Sequence, residues 1–266
     1  MKRYVHLLLL LVLSFTACQK QEVGLDDISL SRLYLNGSIK IGLDVPYQPL
    51  AYVKDGYFVG FDIDVIDEIC AVLDLTPEYI AIDWGKKDEL LENGDIDIIA
   101  SGFSKTPERE PYYGMSEPYI PNVLCIVVRS NETRFTDFQS LNGMRVGFMR
   151  GSTAQDYLEM HQDESFSIES RPYATLNEAL QNLSSMAVDA VLGDMIVVSY
   201  LTNVENRTNL KILPVALSRE YFVYGFRKND KALLNAFNES LRQLARDDIL
   251  AKITRKWFKN DISLLR

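Results

Sequence analysis

The chain has 266 residues, 28 Lys+Arg against 37 Asp+Glu for a formal charge of −9, and 47% hydrophobic residues, which describes a folded soluble body of one large domain or two lobes of about 100–150 residues each. The acidic balance argues against a nucleic-acid partner, because gripping phosphate backbones through counterion release needs clustered Lys and Arg. With His6 and His161 as the two histidines, multi-His metal centres and Ser/His/Asp triads are hard to assemble.

Along the chain, Lys2 and Arg3 precede an apolar run over 7–15 that is too short to span a bilayer, and Thr16-Ala17-Cys18 follows. Residues 1–17 therefore read as a signal peptide, ending in a pattern that resembles a bacterial lipobox, with Cys18 as the acylated first residue of the mature chain. Residues 18–35 follow as a tether. Removing 1–17 takes away two positive charges and no acid, so membrane contact is expected through the lipid alone. Cys70, on an apolar helical stripe, and Cys125, inside a strand-like run, are expected to be buried thiols rather than a bridge, although an envelope compartment permits disulfides.

From residue 39 short apolar strands alternate with amphipathic helices: strand 39–43, helix 62–73, strand 78–82, helix 86–93, strand 96–100. The pattern restarts with strand 144–148, helix 154–161, strand 167–169, helix 175–183, strand 188–192 and helix 195–201. Two α/β lobes with mainly parallel sheets are predicted. An internal echo supports this: Leu91 precedes Asp97 as Leu183 precedes Asp189, which places Gly102 and Asp194 at matching strand ends.

Ligands of such sheets sit beyond the carboxyl ends of the strands. The residues found there are Asp44 and Tyr47, Asp83 and Trp84, the run Ser101-Gly102-Phe103-Ser104, Arg109, then Ser152, Thr153 and Asp194. Thr106-Pro107-Glu108 also reads as the cap and first turn of a helix that would fix Arg109. The acids Asp62, Asp64, Asp95 and Asp97 fit caps and strand-end hydrogen bonds better than a metal loop, so neither a required metal nor a cofactor is expected.

Over residues 36–260 these segments together, GYFVGFDIDVIDEI (56–69), SGFSKTPER (101–109), VGFMRGSTAQDYL (146–158) and VDAVLGD (188–194), resemble the bacterial extracellular solute-binding proteins of polar amino-acid ABC importers. The resemblance implies the two-lobe periplasmic-binding-protein fold of type II, hinged on two strands crossing near 120–124 and 219–224. Its divisions here would be 36–122 with 222–266 as the first lobe and 123–221 as the second. It also implies a monomer in the cell envelope, in the periplasm or on the outer face of the cytoplasmic membrane. There it would close on a free amino acid and deliver it to a permease.

The same resemblance assigns roles to residues. Arg109 would hold the ligand α-carboxylate in a bidentate fork, completed by the backbone amides of Ser152 and Thr153 at a helix N-terminus. Asp194 would take the α-ammonium, with the Ser104 hydroxyl and Gly102 carbonyl beside it. Tyr47 and Trp84 would sandwich the side chain, and Asp44 with Ser101 would meet its polar tip. The family usually places an aromatic where Leu50 stands. An acidic tip and two aromatic faces favour a basic side chain, and Met149, where some relatives carry lysine, disfavours glutamate and aspartate; glutamine and histidine stay open. Two rivals are an enzyme on the same fold, of the cyclohexadienyl dehydratase kind, and an amino-acid sensor or surface lipoprotein that feeds no transporter.

Overall fold

The computed structural model describes residues 27–204 and 207–265; the predicted signal peptide, Cys18 and the start of the tether lie outside the described residues. The first element is helix α1 (Ser29–Asn36), inside the stretch expected as tether: Leu33 is buried in the core and Gly37 closes the helix in the left-handed region. Strand β1 (Ser38–Asp44) follows, then a hairpin of β2 (Tyr52–Lys54) and β3 (Tyr57–Val59), helix α2 (Phe61–Leu73), β4 (Thr76–Ile82), α3 (Lys87–Asn93), β5 (Ile98–Ala100) and β6 (Tyr113–Met115). The long strand β7 (Ile120–Arg129) leads to β8 (Arg145–Met149), α4 (Thr153–His161), β9 (Glu169–Tyr173), α5 (Leu176–Ser184), β10 (Ala190–Asp194) and α6 (Met195–Asn203). The long β11 (Leu210–Phe222) returns to β12 (Gly225–Arg227) and the closing helices α7 (Lys231–Arg246) and α8 (Ile249–Phe258).

Two five-stranded sheets result, ordered β4-β1-β5-β12-β6 and β11-β7-β10-β8-β9. The expected parallel pairs β1–β4, β1–β5, β8–β9 and β8–β10 are present, but each sheet is mixed rather than mainly parallel. The difference comes from the connecting strands: β12 joins β5 and β6 antiparallel, and β7 and β11 join the second sheet antiparallel. The internal echo has a structural counterpart. Asp97 accepts the backbone N–H of Lys40 on the neighbouring parallel strand, and Asp189 accepts that of Arg145; arginine side chains close both carboxylates.

Two expectations about local structure are corrected. Residues 106–112 form consecutive turns, with Arg109 and Glu110 N–H donating to the Thr106 carbonyl, and no helix follows. Pro111 explains this: it has no N–H to continue the ladder and disfavours helical backbone at Glu110. The strand expected at 167–169 begins at Glu169 instead, because Asp163 folds the preceding residues into a turn, accepting the N–H groups of Ser165 and Phe166. Cys70 and Cys125 are free buried thiols, and burial pushes the Cys70 thiol up to about 12. No described helix is long and apolar enough to cross a membrane.

The loop after β1 is clamped by the start of α2, whose first amides, Phe61 and Asp62, donate to the carbonyls of Pro49 and Leu50. Gly60 makes that approach possible: its φ is +151°, and a Cβ there would lie 2.1 Å from the Leu50 carbonyl oxygen. Gly60→Ala is therefore expected to cost on the order of 2–4 kcal/mol in urea unfolding. A loss below roughly 0.5 kcal/mol would show that the clamp yields freely.

Candidate functional site

The carboxyl ends of β1, β5, β8 and β10 converge where the two lobes meet. Eight of the expected residues, Tyr47, Trp84, Gly102, Ser104, Arg109, Ser152, Thr153 and Asp194, line one cavity together with Met149. Its volume of about 10 Å³ has room for about one water and far too little for an amino acid, so the lobes are closed on each other. Admitting an amino acid requires them to part. A groove of about 700 Å³ at the lobe boundary is lined by Arg109, Lys87, Tyr113 and Asp156 and reaches the site at Arg109.

Arg109 is 8% exposed, its guanidinium 4.6 Å from the centre of the Phe103 ring. Nη1 donates to the Ser104 carbonyl at 3.0 Å, and Nη2 reaches across the lobes to the Gly151 carbonyl at 3.4 Å. Its acidic neighbour is Asp156 of the opposite lobe at 3.8 Å, rather than Glu108 or Glu110 in its own turn. Lys87 also crosses to the Gly151 carbonyl, at 3.2 Å, and burial, with Arg109 nearby, lowers its pKa. Ser152 is the N-cap of α4 but makes no side-chain cap bond, its hydroxyl donating instead to the Met149 carbonyl at 2.6 Å. The helix dipole at Thr153 thus faces the cavity without an acidic cap.

Asp194 holds the N-cap position of α6, yet its side chain makes no cap bond. It turns into the site, accepting the Tyr47 hydroxyl on Oδ2 and Asn122 Nδ2 on Oδ1 at 2.6 Å. Burial, and then the charge of Glu220, raise its carboxyl above the usual carboxylate range. Tyr47 and Trp84 are each 2% exposed, and Trp84 meets Phe103 edge-on. Gly102 has φ +84°, and a Cβ on it would stand 2.8 Å from the Tyr47 ring, so glycine seats the tyrosine.

Asp44 and Ser101 are not in the cavity wall. Both are 1% exposed, and Asp44 Oδ2 and Ser101 Oγ have no hydrogen-bond partner. Burial, with Asp194 and Asp83 nearby, raises the Asp44 carboxyl well above its usual range. Unsatisfied buried acceptors are rare and costly, and here they lie next to the cleft. Asp62, at the start of α2, accepts the Ser101 N–H and the Tyr224 hydroxyl, each at 3.0 Å, which fits the strand-end role expected for it. No cluster with metal-binding geometry occurs among the described residues.

Sequence reasoning missed Asn122, Glu220, Lys87 and the Gly151 carbonyl. A signal existed for Glu220: on β11 it shares the buried face with Phe222, whereas Tyr221 between them is 46% exposed. A lone acid on an apolar strand face needs a polar reason to be there.

Comparison with known proteins identifies the family. The family model of bacterial extracellular solute-binding proteins, family 3, matches residues 39–260. The lysine/arginine/ornithine-binding periplasmic protein of Escherichia coli strain K12 is 29% identical over 245 residues, 89% of this chain and 93% of the relative. The L-cystine-binding protein TcyJ of the same strain is 25% identical over 240 residues, 90% of this chain and 89% of the relative. A solved ABC-transporter substrate-binding protein from Streptococcus pneumoniae with bound histidine superposes with a TM-score of 0.84 at 30% identity, covering 90% of this chain and 99% of that one. The fold is that of type II periplasmic amino-acid-binding proteins, and the chain belongs to the bacterial extracellular solute-binding proteins of family 3.

Proposed function

We propose that this protein is the capture subunit of an ABC importer, a lipoprotein anchored through Cys18 that closes on a free amino acid with a basic or other polar side chain and delivers it to a permease. The observation that carries the reading is a single cavity walled by Arg109 from one lobe and by Thr153 and Asp194 from the other. A cation, a helix N-terminus and an anion in one closed site complement an α-carboxylate and an α-ammonium. Arg109 would fork onto the carboxylate, Asp194 and the Ser104 hydroxyl would take the ammonium, and Tyr47 with Trp84 would flank the side chain. In the closed arrangement the Gly151 carbonyl and the Tyr47 hydroxyl engage Arg109 and Asp194; a ligand would take over both engagements. Because contacts from the second lobe exist only on closure, ligand shifts the open–closed balance toward closed.

A basic ligand is supported by charge. Asp44 is a buried carboxyl beside the cleft, raised above its usual range by burial and with Oδ2 unpartnered, and a cationic side-chain tip would both satisfy that oxygen and favour its ionised form. Relatives that take lysine, arginine, ornithine or histidine agree with that choice, and the cystine-binding relative marks the main departure from it.

The test is a melting-temperature screen of the refolded, ligand-stripped protein against the standard amino acids, ornithine and citrulline. A true ligand at about 100 times its Kd adds about 2.7 kcal/mol, a rise of roughly 5–10 °C. Shifts confined to basic amino acids support the specific reading. Equal shifts with glutamate and arginine would sink it, and no shift with any amino acid would sink the capture role.

A further inference from the structure

Three buried polar side chains meet where the two long strands of the second sheet run beside β10, and the ligand scheme above uses one of them. Glu220 stands opposite Asn122 in the β11–β7 ladder, and Asp194 stands opposite Leu124 in the β10–β7 ladder. Asn122 and Leu124 are two residues apart and share a strand face, so Asn122 lies diagonal to Asp194. Its Nδ2 donates to Asp194 Oδ1 at 2.6 Å and to Glu220 Oε2 at 3.4 Å. Asp194 is 8% exposed, Glu220 5% and Asn122 3%.

The remaining donors to the pair are neutral hydroxyls, Tyr47 to Asp194 and Ser104 to Glu220. The titratable and charged groups around it include Asp44 on β1, Tyr47 in the loop after β1, Cys125 on β7, and Arg109, the cation acting on Asp194. Glu220 also borders a side cavity of about 220 Å³ with Lys105, Glu108, Asp156, Tyr157 and Arg219. Two carboxylates held by one amide and two hydroxyls out of water are a poor home for two negative charges. An independent sign of what the cluster lacks is Asn122 Oδ1, a buried acceptor with no partner. An ammonium, with three N–H donors and a positive charge, satisfies such a set of acceptors.

We infer that Glu220 is a second carboxylate of the ammonium subsite, that Asp194 keeps a proton beside it while the subsite holds no cation, and that the ligand α-ammonium displaces that proton. This rests on the amino-acid reading of the cleft. In the exchange the carboxyl O–H bond breaks and its proton passes to the buffer. The ammonium keeps its three hydrogens, and the pair, now carrying two negative charges, faces one positive charge. Binding becomes proton-coupled: affinity rises with pH, by up to about tenfold per pH unit, until Asp194 is ionised without ligand. β7, β10 and β11 hold Asp194, Asn122 and Glu220 side by side, and the Tyr47 and Ser104 hydroxyls reach them from the first lobe.

The experiment is calorimetric titration of the stripped protein with L-arginine in two buffers of different ionisation enthalpy, which counts protons. About one proton released per arginine near pH 6, declining toward none near pH 8.5, is expected. Glu220→Gln is expected to bind arginine several-fold more weakly and to release fewer protons than the wild type near pH 6, because burial alone then raises Asp194. Arginine binding without proton release in the wild type, or release unchanged in E220Q, overturns the inference. Carboxyl carbon NMR of the ligand-free wild type decides the Asp194 proton separately. Asp194 titrating between about pH 5 and 8 supports it, and Asp194 ionised by about pH 5 refutes it. If arginine gives neither heat nor a melting shift, the basic-ligand reading has failed, while the NMR result still decides the proton.

Discussion

Arg109→Lys is expected to reduce L-arginine binding by 100-fold or more, on the order of 3 kcal/mol, while leaving the melting temperature of the ligand-free protein nearly unchanged. The charge is conserved, so what the substitution removes is geometry. The guanidinium lies over Phe103 and aims one nitrogen at the Ser104 carbonyl and another across the lobes at Gly151, so its plane is fixed before a ligand arrives. Lysine places one strongly hydrated point charge at the end of a flexible stem and cannot offer two parallel N–H groups to a carboxylate. Calorimetric titration checks the affinity, and a melting curve checks the fold. A loss under about tenfold would mean that the helix N-terminus at Thr153, rather than Arg109, holds the carboxylate.

The elements that put Arg109 and Asp194 in one cavity were legible because hydrophobic periodicity and strand ends are local properties. Each βα unit announces itself through apolar strands and amphipathic helices, and ligand-facing residues follow the strands. The helix expected after Thr106 fails for a local reason too: the cap signature is followed by Pro111, whose missing N–H stops the ladder one turn later. What stayed illegible depends on distant pairing. That Glu220 meets Asn122 follows from the β7–β11 register, and that register contains shifts between Ile212 and Ala216 and between Ala216 and Ser218 that no spacing rule anticipates. The Gly151 carbonyl, which both Lys87 and Arg109 reach from the other lobe, has no side chain to betray it. The mixed sheets have the same origin, since a long strand leaving one lobe and returning from the other can pair only after both are built.

The ligand-free protein is expected to lose stability as pH rises from about 4 to about 7, the reverse of a chain held together by surface carboxylates. Asp62 is fully buried and accepts the Ser101 N–H and the Tyr224 hydroxyl, and burial still lifts its carboxyl from 3.8 to about 7. A carboxyl raised in this way binds its proton more tightly in the folded chain than in the unfolded one. Its contribution is therefore greatest below the unfolded value, shrinks through the window between 3.8 and about 7, and is constant above it. At about 1.4 kcal/mol per unit, the loss is at most about 4 kcal/mol. Glu132 and Asp189, which hydrogen bonds from Arg134 and Arg145 hold below the usual range, act the other way, losing stabilisation only as pH falls below their unfolded values. The optimum should therefore sit near pH 4–5. Asp62→Asn keeps an acceptor for Ser101 without a titrating proton, so it should flatten the fall in melting temperature between about pH 5 and 8; a wild-type profile already flat across that range would refute the argument. Saturating L-arginine should leave the Asp62 part of the slope in place, because the ligand cation reaches Asp194, whereas Asp62 lies behind Ser101, whose φ of +69° it helps to hold.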